Sequence, residues 1–117
     1  MTGQVIVHNV RHPVPEGFTP VYVGRRSSYR PQYGENFSEL GNPYTMPRYT
    51  REDAISAYDG WLRLRLQTAL SNRVAEMVDE LISRVQTGEN IALCCWCAPL
   101  PCHADTIKAT LEALQDA

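Results

Sequence analysis

Residues 90–96, NIALCCW, form a continuous apolar run that follows Gly88 and precedes Pro99. A half-buried strand would alternate apolar and polar side chains, so an unbroken run predicts a strand that is buried on both faces. Such strands are typical of parallel sheets, because the connections between parallel strands cover the faces of the sheet. This segment therefore predicts an α/β fold whose sheet is mostly parallel.

Two further strands and three helices can be assigned from local patterns. Residues 4–10, QVIVHNV, alternate and are rich in β-branched side chains, and residues 21–24, VYVG, are a short apolar run closed by glycine. Both segments predict strands. Capping residues and helical spacing of apolar side chains predict three helix starts. These starts are Thr50, which is followed by Asp53 as in a capping box, then Ser71 or Asn72, and finally Cys102.

The length and composition fit one globular domain over residues 1–117. The order strand, strand, helix, helix, strand, helix predicts a small Rossmann-like three-layer sandwich with three or four strands. No apolar run approaches the roughly 20 residues that span a bilayer, and the first residues lack the apolar core of a secretory signal. We therefore expect a cytoplasmic protein without membrane association, whose thiols stay reduced.

The charge is unevenly distributed, although the net charge is only −2. Residues 1–51 contain six arginines and three acidic residues, whereas residues 52–117 contain five basic and ten acidic residues. No dense basic face is present, which argues against bulk nucleic-acid binding. The positive first part is compatible with a small anionic ligand, since arginine binds phosphate oxygens in a bidentate manner.

The loops after the predicted strands contain residue types that bind anions and planar rings. Gly24 and Arg25 follow a strand, where glycine permits close approach of the backbone and arginine holds phosphate oxygens. The spacing is not that of a P-loop, and we predict no cofactor. Asn42 of LGNPY either reads a base or sugar edge or only shapes a turn. Ligands bind at the carboxyl ends of parallel strands. The candidate ligand-binding residues are Tyr22, Gly24, Arg25, Asn42, Trp96 and Cys97.

The segment CCWCAPLPCHAD, residues 94–105, contains all four cysteines and leaves three interpretations open. In the first, Cys102 is a catalytic nucleophile activated by a helix N-terminus, His103 transfers a proton and Asp105 orients them. In the second, the cysteines are small buried apolar residues and the helix N-terminus still binds an anion. In the third, the segment binds zinc. The ligands of that zinc site would be Cys95, Cys97, Cys102 and His103.

The motifs VYVGR, GNP and LCCWCAPLPCHAD together resemble an uncharacterised family of small proteins common in bacteriophages and mobile elements. The resemblance covers roughly residues 5–113 and implies a Rossmann-like, nucleotide-associated fold in a bacterial host, without an assigned activity. Here residues 26–40 lengthen the link between the first two motifs. The positions that match the family pattern are Tyr22, Gly24, Arg25, Gly41, Asn42, Pro43, Cys95, Trp96, Cys97, Pro99, Cys102, His103 and Asp105.

These observations predict a phage-type protein that binds a nucleotide-like phosphate ligand at the rim formed by the Arg25 loop and the Cys95–Asp105 turn. The ligand would be either sequestered or hydrolysed, so the sequence does not decide whether the protein is an enzyme. An alternative is a protein that binds and inhibits a host factor, with Trp61 as an anchor. The apolar first helix is also compatible with a homodimer contact. A zinc-stabilised domain is the third alternative.

Overall fold

A computed structural model describes residues 2–45, 48–68 and 72–115. Ser71, one of the two residues predicted to start the second helix, lies outside these ranges. Three single-turn 3₁₀ helices lie in the irregular segment between Gly24 and Thr50, at Arg26–Ser28, Pro31–Tyr33 and Ser38–Leu40. The strands in the described ranges are β1 (Val5–Asn9), β2 (Phe18–Tyr22), β3 (Glu35–Asn36) and β4 (Asn90–Cys95), and the helices are α1 (Arg51–Gln67), α2 (Arg73–Gln86) and α3 (His103–Gln115).

The strands form one parallel sheet in the order β1-β4-β2-β3. β4 pairs with β1 and β2, and Ile91–Cys95 are all buried, as the apolar run predicted. The predicted α/β class and the mostly parallel sheet are therefore confirmed. β3 was not predicted, because two exposed residues on an edge strand produce no recognisable pattern.

The two faces of the sheet are covered differently. Side chains alternate along a strand, and one face, represented by Val21 and Leu93, joins the main apolar core with residues of all three helices. The other face carries Tyr22, whose ring contacts Tyr29 and Tyr33 at centroid distances of 5.4 and 5.7 Å. The long irregular segment after β2 therefore covers the second face beside β2, and it folds against the sheet through aromatic contacts.

Two of the predicted capping residues, Thr50 and Asn72, cap the helices that they were predicted to start. The Thr50 hydroxyl accepts a hydrogen bond from the Asp53 N–H, and the Asn72 side chain accepts one from the Ala75 N–H. Gly88, with φ of 102°, follows α2 in the left-handed region that favours glycine. None of the helices in the described ranges is both long and apolar enough to cross a bilayer.

Arg84 at the end of α2 ties the edge of the sheet to the helical layer. Its guanidinium donates hydrogen bonds of 2.6 Å to both Glu35 on β3 and Glu89 before β4, and it also contacts Glu80. These hydrogen bonds raise the pKa of Arg84 and lower that of Glu89. Because three carboxylates surround its guanidinium, Arg84 has a structural role.

Candidate functional site

A pocket of about 470 Å³ lies at the carboxyl edge of the sheet. Its walls are the loop after β2, the segment after β4, the first turns of α1 and α3, and residues 42–45. The structure thus brings the segments around positions 25, 42 and 102, which are distant in the chain, to one cavity. Of the candidate site residues, the lining includes Gly24, Arg25, Asn42, Trp96, Cys97, Cys102 and His103.

The longer link at residues 26–40 does not separate the first two motifs, because glycines bring them into contact. A Cβ added to Gly41 would lie 2.8 Å from the Gly24 carbonyl oxygen and 2.9 Å from the Ser38 oxygen. The two loops therefore pack backbone to backbone, at a distance that a larger residue would prevent.

Asn42 clamps its loop to α1. Its side-chain amide donates a hydrogen bond of 3.1 Å to the Ala54 carbonyl, and its side-chain oxygen accepts one of 2.8 Å from the Tyr44 N–H. Of the two roles considered for this residue, the geometry therefore favours the shaping of a turn. Asn42 lines the pocket, but both ends of its amide are engaged within the protein.

Tyr22 lies beneath the pocket rather than in its wall. Its side chain is fully buried, and its hydroxyl donates a 2.7 Å hydrogen bond to the Arg25 carbonyl. This corrects the assignment of Tyr22 as a ligand contact, because a fully buried side chain cannot touch a ligand in the pocket. Its role is to hold the backbone from which the Arg25 side chain extends.

His103 and Asp105 each have a structural partner. The His103 Nε2–H donates a 2.6 Å hydrogen bond to the Val23 carbonyl, and the ring meets Tyr58 edge-on. Burial lowers the pKa of His103, so the ring is held neutral. Asp105 is exposed and accepts a hydrogen bond from the Cys102 N–H, which is a helix-capping contact. Asp105 therefore does not orient the imidazole or the thiol, contrary to the proposed catalytic arrangement.

Three thiols meet at the base of the pocket. The sulfur atoms of Cys95 and Cys102 are 3.4 Å apart, and Cys102 also hydrogen-bonds to Cys97. The hydrogen bond from Cys102, followed by the hydrogen bond from Arg51 and the charge of Arg25, lowers the pKa of Cys97 to about 6, against an opposing effect of burial. Interaction with Cys95 and then with Cys97, together with burial, raises the pKa of Cys102.

Within the cluster the Cys97 thiol is therefore the one most favoured to ionise, because it interacts with both Cys102 and the Arg51 guanidinium. The Cys102 hydrogen bond also lowers the pKa of Cys95, but a negative charge on Cys97 opposes ionisation of Cys95. The sequence predicted Cys102 as the nucleophile, but its raised pKa favours Cys97 in that role. Cys94 is buried, with a pKa raised to about 11, and alternation along β4 directs it to the other face of the sheet.

The residues proposed as zinc ligands are not arranged as one donor set. His103 directs its Nε2–H at the Val23 carbonyl. In the part of the chain that the structure describes, no three His, Cys, Asp or Glu side chains are positioned to hold a metal ion. The geometry therefore does not support the hypothesis of a zinc site at Cys95, Cys97, Cys102 and His103.

Arg51 is a site residue that the sequence motifs did not indicate. It is the first residue of α1, its Nη1 donates a 3.0 Å hydrogen bond to the Pro101 carbonyl, and it also hydrogen-bonds to the Cys97 sulfur. It thereby connects the N-termini of α1 and α3 across the pocket. Arg51 lies in no recognisable binding motif. Its position directly after the Thr50 cap is the one sequence feature that could have indicated it, because the N-terminus of α1 faces the carboxyl edge of the sheet.

Alkylation of Cys97 by iodoacetamide is expected to accelerate as the pH rises through a midpoint of about 6, because the thiolate is the nucleophile. An ordinary cysteine has a midpoint near about 8.5. Arg51→Ala should raise the midpoint, since the guanidinium stabilises the thiolate. Mass spectrometry of quenched samples measures the rate, and a wild-type midpoint at the ordinary value would contradict the assignment.

The fold and the pocket define a small parallel α/β protein with an arginine- and thiol-lined cavity at the carboxyl edge of its sheet. Residues 8–113 match the model of a family described as a domain of unknown function, DUF4326. The match spans most of the chain, which therefore belongs to this family. No curated protein and no solved structure matches the chain.

Proposed function

We propose that the pocket binds a small phosphate-bearing ligand of the nucleotide type, held by Arg25 and Arg51. The observation that carries this proposal is the presence of two guanidinium groups in a pocket whose described lining residues include no Asp or Glu. Neither arginine forms an ion pair with a described acidic residue, in contrast to Arg84, which contacts three carboxylates. An ionised Cys97 balances only one of the two cations, so a ligand anion would supply the remaining negative charge.

The remaining walls suit a planar group attached to that anion. The volume of about 470 Å³ is that of a typical small-molecule site. Trp96 lines the pocket with 36% of its surface exposed. Its ring is held by the edge of Tyr33 at 5.4 Å and by Arg11, which lies 5.5 Å from the ring centroid. An exposed indole fixed in this way offers a surface for stacking a base.

Binding without hydrolysis is the activity that the pocket residues support best. Hydrolysis needs a group that activates water, and such a group is usually a carboxylate or a histidine with a free nitrogen near the ligand. The described lining contains no carboxylate, and its histidine, His103, is only 8% exposed and donates its Nε2–H to the Val23 carbonyl, so little of the ring faces a bound ligand. Sequestration of the ligand is therefore the function we infer.

The test is a thermal-shift and calorimetric comparison of mono-, di- and triphosphate nucleotides with inorganic phosphate, performed on the reduced protein. Arg25→Ala and Arg51→Ala are each expected to weaken binding roughly ten- to a hundredfold, which corresponds to the loss of one charged hydrogen bond. Arg26→Ala is the matched control, because Arg26 is the exposed neighbour of Arg25 and does not line the pocket. Absence of binding by every nucleotide would refute the proposal, as would an equal loss in Arg26→Ala.

The alternative of a host protein bound through α1 has weaker support. Trp61, its proposed anchor, is partly buried, lies 5.3 Å from the Tyr58 ring and is covered by Arg65 at 5.1 Å. The exposed large apolar residue of this helix is Leu64, and single exposed leucines are common on protein surfaces. A pull-down in which Leu64→Ala and Trp61→Ala lose one stoichiometric partner, while Arg25→Ala retains it, would favour this alternative.

A further inference from the structure

We propose that Cys97 and Cys102 form a redox-active dithiol, which a hydroperoxide oxidises to an intramolecular disulfide. Both residues line the pocket, Cys97 packs against the core cluster that contains Cys102, and the two thiols interact. This inference does not depend on the proposed nucleotide, since its substrate is the peroxide. The site would therefore retain its reactivity even if no phosphate ligand bound.

Access distinguishes the thiols of the cluster. Cys97 is partly exposed at the pocket wall, whereas Cys95 and Cys102 have exposed fractions of 1% and 4%. A small oxidant entering the pocket therefore meets Cys97 first. Cys102 belongs to the buried cluster against which Cys97 packs, and it interacts with the Cys97 thiol, so it is placed to react with an oxidised Cys97.

The surroundings of Cys97 favour attack on a peroxide. Arg51 hydrogen-bonds to its sulfur, and the charge of Arg25 acts on the same group. These cations stabilise the thiolate, which is the reactive form, and they also stabilise the negative oxygen that leaves when the peroxide bond breaks. A thiolate beside cationic side chains, with a second thiol in contact, is the arrangement found in redox-sensing cysteines.

The reaction proceeds in two balanced steps. The Cys97 thiolate attacks one oxygen of hydrogen peroxide, the O–O bond breaks, and the departing hydroxide takes a proton from solvent to become water. The Cys102 sulfur then attacks the sulfur of the resulting sulfenic acid, the S–O bond breaks, and the Cys102 proton leaves with the hydroxide as a second water. Two electrons pass from the thiols to the peroxide, and one disulfide remains.

The experiment treats the reduced full-length protein with stoichiometric hydrogen peroxide and then maps its thiols. Chymotryptic cleavage after Trp96 separates Cys94 and Cys95 from Cys97 and Cys102. We expect two of the four thiols to be lost, and the fragment beginning at Cys97 to lose the mass of two hydrogens. A disulfide involving the other fragment, or no thiol loss, would overturn the proposal.

Serine variants identify the role of each sulfur. Cys97→Ser should slow thiol loss roughly tenfold or more, because it removes the thiolate that reacts, whereas Cys94→Ser should react as the wild type does, because Cys94 is buried on the other face of the sheet. Cys102→Ser keeps a hydroxyl donor but cannot form the disulfide, so dimedone should trap a sulfenic acid on Cys97. Thiol loss at the wild-type rate in Cys97→Ser would refute the assignment. If Cys102→Ser does not fold, the fragment masses of the wild type and of Cys97→Ser still show whether the disulfide joins Cys97 to Cys102.

Discussion

Replacement of Tyr58 with alanine is expected to lower the free energy of unfolding by about 3–5 kcal/mol, the usual cost of removing a buried aromatic ring. Tyr58 is fully buried in α1, and its ring lies between Trp61 and His103 at centroid distances of 5.3 and 5.1 Å. Its hydroxyl donates a 2.6 Å hydrogen bond to the Leu40 carbonyl. The substitution therefore opens a cavity and leaves a buried acceptor unpaired beside the pocket.

Urea denaturation followed by circular dichroism measures this loss. Tyr58→Phe is the matched control, because it keeps the ring and removes only the hydrogen bond to Leu40, at a cost of about 1–3 kcal/mol for the unpaired carbonyl. The difference between the two variants then isolates the contribution of the ring. A loss in Tyr58→Ala no larger than that in Tyr58→Phe would show that Tyr58 does not support this part of the core.

Gly41→Ala is expected to destabilise the protein by about 1–3 kcal/mol, as overpacking of a closed site does. The new Cβ would lie 2.8 Å from the Gly24 oxygen, and this oxygen belongs to the backbone, so it cannot move aside as a side chain would. Relief of the contact requires the two loops to separate. We therefore also expect weaker ligand binding, because Arg25 is carried by one loop and Asn42 by the other.

Gly60→Ala is expected to raise the free energy of unfolding, the opposite of the change expected for Gly41→Ala. Gly60 is exposed within α1, and a Cβ there would have no neighbouring atom within 4 Å. Since alanine is a better helix former, this variant should be more stable by about 0.5–1 kcal/mol. If the Gly41→Ala and Gly60→Ala proteins had equal free energies of unfolding, the close packing of the two loops would be contradicted.

Features that depend on local chain chemistry were predictable from the sequence. The caps at Thr50 and Asn72 follow from side chains that bond to the next turn of their own backbone. The buried strand Asn90–Cys95 follows from an unbroken apolar run, and a parallel sheet follows from that strand. The placement of the loop after β2 and of the segment after β4 on one edge then follows from the direction of the strands.

The roles within the pocket depended on contacts between distant residues. The sequence predicts Tyr22 as a ligand contact, but the segment after β2 covers it in the folded protein. It predicts Asp105 as a catalytic partner, but the Asp105 carboxylate caps α3. The order in which the thiols ionise is set by which sulfur donates to which, and by the guanidinium of Arg51, which is more than forty positions away in the chain.

The sequence by itself determined the three long helices, the buried strand of the parallel sheet and the edge at which the unusual residues collect, because these depend on periodicity and on hydrogen bonds between near neighbours. Only the tertiary structure decided which side chains reach the cavity and which thiol is the most acidic. Exposure and pKa depend on every group packed around an atom, and those groups come from segments that no local pattern connects.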